Sequence, residues 1–170
     1  WEDCNSFMLT HNWWHLALFH LDRDDPAKAL ELYDRRIWGV DKTYSQDQIG
    51  AVSMLWRLEL RGADVGERWA DVADHVAGRT REHVQPFLDL QYLYALARAG
   101  RSEAVSEMLV SLAAHAATAA APRRPMLGEV ALPLARGFAA AAAGDYRGAY
   151  RHLEPAMPRL QEIGGSHAQR

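Results

Sequence analysis

Two histidines one helical turn apart are the first residues whose types and spacing suggest chemistry. His11 and His15 are separated by four positions, so both rings would lie on one face of a helix. Two imidazoles at this spacing can share a zinc ion. The zincin pattern places a glutamate directly after the first histidine, and Asn12 occupies that position here. This departure argues against a metalloprotease, and a third zinc ligand would have to come from elsewhere, such as Asp89 or His167.

A role without metal competes with the zinc site at these histidines. Burying a charged imidazolium without a partner is costly, so each ring should be neutral and hydrogen-bonded, or should face a ligand groove. We expect His11 to face a groove with Trp14 as its aromatic wall, and His15 to have a structural role. We predict neither a metal nor another cofactor.

Further polar residues interrupt the apolar stripes of later segments. They would either line a groove for a charged or polar ligand or form structural pairs, such as an Arg–Asp bridge between stacked helices. His167 follows two glycines that let the chain turn back, so its side chain either covers the end of the helices or belongs to an exposed tail. These stripe positions are Arg57, Asp89, Tyr92, Glu129 and Arg136.

Composition and motif searches exclude several other classes of function. The net charge of −3 provides no basic field for nucleic acid. A single cysteine, Cys4, excludes an internal disulfide, and its apolar neighbours indicate a small core residue. The sequence contains no Gly-x-Ser-x-Gly elbow, no phosphate-binding glycine loop and no uncharged apolar run of about 18 residues. We therefore predict a cytoplasmic protein that binds neither nucleic acid nor membranes.

The elements that must position these residues are all predicted to be helices. Alanine, the best helix former, occurs 29 times in 170 residues, and alternating β-branched segments are missing. Breakers divide the chain into eight amphipathic blocks that pair into four hairpins, at about 3–38, 45–77, 83–118 and 127–163. Asp25 and Asp145 are predicted N-caps, and Ser45 with Gln48 forms a capping-box pattern. We interpret residues 1–170 as one all-α domain.

The hairpins also look like repeats of one another. A small residue recurs shortly after the start of each second helix, where two helices would approach closely. Repeats of two helices near 34 residues are typical of tetratricopeptide proteins, although an irregular bundle with accidental spacing is the alternative. The recurring alanines are Ala29, Ala70, Ala104 and Ala149.

Three stretches together resemble the tetratricopeptide repeat protein 38 family. The first is 11–19 (HNWWHLALF) with 29–34 (ALELYD), the second 53–58 (SMLWRL) with 65–69 (VGERW), and the third 163–170 (IGGSHAQR). The resemblance implies a right-handed stack of about four antiparallel hairpins, and it implies no reaction. Family members extend further in both directions, so the chain resembles the C-terminal part of a longer repeat protein. Within the superfamily, the first helix of each hairpin lines a concave groove that binds proteins or peptides.

Two function classes follow from these patterns. The favoured one is a binding scaffold whose groove holds a peptide, a partner protein or a small polar ligand. The alternative is a hydrolase-like enzyme using groove histidines and carboxylates, with or without a metal, and it requires three or more of these side chains to converge in one pocket. Apolar stack ends also predict self-association. The predicted groove residues are His11, Trp14, His15, Arg57, Asp89, Tyr92, Arg136 and His167.

Overall fold

The computed structural model describes residues 1, 3–4 and 6–169, and the described part is helical without strands. The prediction of an all-α protein is therefore confirmed. Within the same residues, no helix has both the length and the apolar character required to cross a membrane. The helices are α1 (Ser6–Asp22), α2 (Pro26–Leu32), α3 (Ser45–Leu60), α4 (Arg68–Val76), α5 (Pro86–Arg98), α6 (Ser102–Thr118), α7 (Arg124–Met126), α8 (Leu132–Ala142) and α9 (Tyr146–Leu153).

The chain, predicted from sequence as one domain, forms two compact units. The first unit comprises Trp1–His75 and the second Val76–Arg170. Two short 3-10 helices, Ala77–Arg79 and Met157–Ile163, belong to the second unit, and each unit contains one π-helical turn, Tyr33–Ile37 or Leu127–Ala131.

Helix starts follow the predicted caps at two of three places. The Asp25 carboxylate accepts a hydrogen bond from the Lys28 N–H at 3.1 Å, and Asp145 accepts one from the Gly148 N–H at 2.8 Å. The capping box at Ser45 is not formed, because Ser45 already lies inside α3 and the Gln48 side chain donates to the carbonyls of Lys42 and His75 instead. Long-range bonding of a buried amide thus replaced the local motif.

Prolines set the helix breaks in the second unit. The Leu132 N–H bonds to the Leu127 carbonyl five residues earlier, which widens the helix directly before Pro133. This π-helical turn accommodates a ring that would otherwise clash with the preceding turn. The last α-helix, α9, ends at Leu153, two residues before Pro155, and a 3-10 segment that contains Pro158 follows.

In the first unit, α1 packs against both α2 and α3. Polar bonds reinforce the contact between the two predicted hairpins. The indole N–H of Trp38 donates to Asp71 at 2.6 Å, and the Lys42 ammonium contacts the same carboxylate at 2.7 Å. Arg68 and Asp34 form a bidentate pair at 2.8 and 2.7 Å. The segment between α2 and α3, which includes the π-helical turn Tyr33–Ile37, is thereby fixed to α4.

In the second unit, α8 packs against α5, α6 and α9. The closest approach involves Gly137, where an added Cβ would overlap the side chain of Leu153. The C-terminal segment returns to the start of α5, because Gly164 and Gly165 have positive φ angles of 95° and 74° and lie against Gln85 and Phe87. The predicted reversal of the chain at these glycines is therefore present.

Two of the four recurring alanines are buried in contacts between helices. Ala29 is fully buried and Ala149 is 4% exposed, whereas Ala70 and Ala104 are only half-buried. The close-approach interpretation therefore applies to the first and last hairpins, and the alanines of the middle two are partly exposed to solvent.

Leucine in place of Ala29 or Ala149 should destabilise the fold. We expect Ala29→Leu and Ala149→Leu each to lower the free energy of unfolding by about 1–3 kcal/mol, since the added atoms have no cavity to enter. Ala114→Leu, at an exposed position of α6, is the matched control and should stay within about 0.5 kcal/mol of wild type. Urea melts measure all three, and unchanged midpoints for Ala29→Leu and Ala149→Leu would contradict the assignment.

Candidate functional site

The first unit holds the two histidines in one aromatic cluster on α1. The Nε2 atoms of His11 and His15 are 3.1 Å apart, so one ring donates a hydrogen bond to the other. The His11 ring stacks on Trp14 with centroids 5.9 Å apart, and His15 meets Trp14 edge-on. Burial and, secondly, the proximity of His15 lower the pKa of His11. The lowered pKa favours a neutral His11 ring, and the two rings share one hydrogen bond.

Trp14 lies in the core instead of on an open groove wall. Its side chain is 2% exposed, while both neighbouring histidines are half-buried. The Arg57 guanidinium of α3 lies over the Trp14 ring at 5.6 Å from the centroid and donates to the Ser53 carbonyl at 3.1 Å. Burial lowers the pKa of Arg57, although a guanidinium remains protonated at neutral pH. The buried Trp14 ring therefore forms a fixed surface on which the Arg57 guanidinium packs.

A cleft of about 270 Å³ opens beside this cluster, between α1 and α3. Three of its walls are leucine side chains, Leu18 and Leu21 from α1 and Leu60 from α3. Its polar lining consists of Asp22, Arg57 and Arg61. The cleft therefore presents an apolar surface next to two cations and one anion.

The two arginines of the cleft differ in how they are held. Arg61 donates to the Leu21 carbonyl at 2.8 Å and lies 3.9 Å from Asp24, whose side chain is 91% exposed. Arg57 is fixed by a carbonyl and an aromatic face. A positive charge restrained in this way loses little conformational entropy when an anion binds.

A second cluster, in the second unit, surrounds Asp89. The Asp89 side chain is 4% exposed on α5, and one of its oxygens lies 3.4 Å from Nδ1 of His83, which is 5% exposed. The other ring nitrogen of His83, Nε2, lies 2.7 Å from the hydroxyl oxygen of Ser111 on α6. His115, one turn further along α6, stacks on His83 with centroids 5.1 Å apart. Serine, histidine and aspartate thus form one chain of contacts.

Burial sets the protonation of this second cluster. It raises the pKa of Asp89 to about 7, with the charge of Glu82 as a second cause. It also lowers the pKa of His83, and burial followed by the charges of His83 and Arg123 lowers the pKa of His115. Both imidazoles are therefore neutral at neutral pH, and the carboxyl group ionises near it.

The remaining predicted groove residues lie outside these two clusters. Tyr92 is buried, with the Arg79 guanidinium 5.6 Å from its ring centroid. Arg136 and His167 are exposed, on α8 and in the turn after the last 3-10 helix. Cys4, expected in the core, is also exposed.

Sequence reasoning missed three of the four residues of the second cluster. His83 stands in the loop before α5, and no helical periodicity draws attention to it. Ser111 and His115 have the same i, i+4 spacing that singled out His11 and His15, so a signal existed on α6. The spacing alone could not show that His83, from another segment, would lie against these two residues.

No three His, Cys, Asp or Glu side chains among the described residues converge in a geometry that would hold a metal ion. The His11–His15 pair consequently has no third ligand within that part of the chain.

No protein-family model matches the chain. No solved structure is significantly similar to it. Its function has to be inferred from the contacts within each unit.

Removing the ionisable group of Asp89 should change how stability depends on pH. The folded pKa near 7 exceeds the ordinary value of 3.8, so the unfolded chain releases this proton first as pH rises. The carboxyl therefore lowers the free energy of unfolding progressively up to about pH 7, and the loss levels off above it. Glu82 and His83 face this carboxyl, with His115 behind His83.

We expect Asp89→Asn to gain stability over wild type as pH rises from 5 to 8, by on the order of 2 kcal/mol. Thermal melts at both pH values measure the difference. Asp145→Asn is the control, because asparagine also caps a helix and the position is exposed. A difference between Asp89→Asn and wild type that does not depend on pH would refute the raised pKa.

Proposed function

We propose that the first unit is a tetratricopeptide-like binding module that holds the C-terminal end of a peptide in the cleft between α1 and α3. The apolar last side chain would lie against Leu18 and Leu21, and the terminal carboxylate would bind Arg57. The observation that carries the proposal is the cleft itself, in which leucine walls adjoin a restrained guanidinium.

The helix order supports a repeat-type groove. α1 and α3 are the first helices of the first two predicted hairpins, and α1 packs against both its own partner α2 and the next first helix. In tetratricopeptide-like proteins such first helices line the binding surface, which agrees with the resemblance noted in three stretches of the sequence. The right-handed stack and the family are parts of this proposal.

Charge chemistry favours a carboxylate over other groups at this position. A guanidinium matches the two oxygens of a carboxylate in a planar, bidentate contact. The second cation, Arg61, adds to the positive potential, while the Asp22 carboxylate is suited to accept a hydrogen bond from a backbone N–H of the peptide. A C-terminal leucine therefore matches the whole lining: its side chain meets the leucine walls, its carboxylate the two arginines and its backbone N–H the Asp22 carboxylate.

The lining of the cleft provides groups suited to binding, and it lacks the hydroxyl, thiol, amine and imidazole groups that most often act as nucleophiles or bases. Among its described lining residues none is serine, cysteine, lysine or histidine. The chemistry of this cleft is therefore recognition, and a hydrolytic role for the chain needs residues from another place.

Two peptides that differ only at the C-terminus test the proposal. A short peptide ending in leucine with a free carboxylate should bind, and the same peptide with a C-terminal amide should bind at least about tenfold more weakly. NMR titration of the tryptophan indole signals measures both affinities, since Trp14 lies under Arg57.

Arginine variants assign the effect to one side chain. Arg57→Gln should abolish the preference for the free carboxylate. Arg35→Gln, an arginine whose side chain is 73% exposed, should keep it. Equal affinities for acid and amide in the wild-type protein, or an unchanged preference in Arg57→Gln, would rule out this site.

A further inference from the structure

The serine–histidine–aspartate chain in the second unit has no role in peptide binding by the first. Three segments supply it: Asp89 comes from α5, Ser111 from α6, and His83 from the loop before α5. The contacts run from the serine Oγ to Nε2 at 2.7 Å and from Nδ1 to the carboxylate at 3.4 Å. The first contact is within hydrogen-bond distance, whereas Nδ1 approaches the carboxyl group without completing a hydrogen bond. A serine nucleophile in acyl transfer uses its groups in this order.

We propose that Ser111 is a nucleophile for acyl transfer from carboxylic esters, with His83 as its general base and Asp89 as the residue that orients His83. The proposal is independent of the cleft in the first unit.

His83 is held in one orientation by several constraints. Its backbone has a φ of 46°, the left-handed region that a residue with a side chain rarely adopts. The ring is enclosed, and His115 stacks on one face. Strain of this kind persists only where the surroundings enforce it, and it is concentrated at functional positions. A fixed imidazole loses little freedom when it accepts a proton.

The proposed roles also require a nucleophile that is accessible to substrate and a base and carboxylate that are enclosed. Ser111 is half-buried and therefore reachable from solvent, while the base and the carboxylate are enclosed. The neighbours of His83 and Ser111 in the chain, Val84 and Val110, are 70% and 69% exposed. These apolar surfaces favour esters with small apolar acyl groups.

The acyl-transfer step balances without a further reagent. The Ser111 oxygen forms a bond to the ester carbonyl carbon, and its proton moves to Nε2 of His83. The bond from that carbon to the leaving oxygen breaks, and the oxygen takes the proton from His83 and departs as an alcohol. Water then attacks the acyl-serine by the same route, which releases the carboxylic acid and restores the hydroxyl.

Turnover should be slow for a reason visible in the helix. The N–H of Ser111 lies inside α6, where the helical hydrogen bond to the preceding turn uses it, so it cannot donate to a developing oxyanion. Loss of one such donor costs about 100- to 1,000-fold in rate. Formation of the covalent adduct is therefore the more sensitive readout.

An alkyl fluorophosphonate tests the nucleophile directly on the full chain. The serine oxygen would bond to phosphorus, fluoride would leave, and the proton would pass to His83. Above pH 7 the Asp89 carboxyl, whose pKa is about 7, is ionised, so labelling is done there. Peptide mass mapping should place the adduct on Ser111, with Ser106 of the same helix unmodified, and urea-denatured protein should not react.

Variants separate activation from mere accessibility. His83→Asn keeps a residue that tolerates the left-handed backbone but lacks the base, and should lower the labelling rate by about 100-fold. Ser106→Ala should label as wild type does, and p-nitrophenyl acetate should release up to one equivalent of p-nitrophenol in a burst that Ser111→Ala lacks. Circular dichroism checks that each variant folds.

The outcome in the unaltered protein decides the proposal even if a variant unfolds. Absence of a Ser111 adduct in folded wild-type protein would overturn it. So would an adduct on Ser106 in equal amount, or unchanged Ser111 labelling in a folded His83→Asn variant. Each of these results would assign the Ser111–His83 contact to helix packing alone.

Discussion

Each short amphipathic helix of this protein has an apolar face that only a neighbouring helix can cover. α2 and α9 have seven and eight residues, too few to be stable alone in water. Their stability comes from burial against α1 and α8, respectively, through contacts that bring in Ala29 and Gly137. Small side chains at these contacts let the helices approach closely, and the breaks, caps and turns of each unit serve that packing.

The same packing encloses polar groups that water would otherwise solvate. In the first unit Thr10 donates to the buried Asp47 at 2.7 Å, which offsets part of the cost of burying that carboxyl. In the second unit Asp89 is enclosed at a similar depth, but its nearest partner is an imidazole at 3.4 Å. Burial raises the pKa of both carboxyls, and only that of Asp89 reaches about 7. The Asp47–Thr10 hydrogen bond is therefore a structural contact, whereas the Asp89–His83 contact is suited to proton transfer.

The two units therefore carry different kinds of proposed site. The cleft of the first has a cation, Arg57, restrained by an aromatic face and a carbonyl, which is suited to holding an anion. In the cluster of the second unit a hydroxyl, an imidazole base and a carboxyl group lie next to one another in space, an arrangement suited to transferring a proton. The sequence favoured a scaffold over an enzyme because no segment contains a complete catalytic motif, and the residues of the second cluster come from three segments.

Local physical chemistry was enough for the sequence to determine the helices. Alanine content, the Asp25 and Asp145 caps and the prolines after Leu153 act within one or two turns, so their effects can be read without the fold. Tertiary structure decided which faces are covered. It buried Trp14, directed the Gln48 amide to the distant His75 carbonyl and brought His83 to Ser111, 28 positions away. Such contacts depend on how hairpins pack, and helical periodicity contains no information about which segment arrives opposite a given side chain.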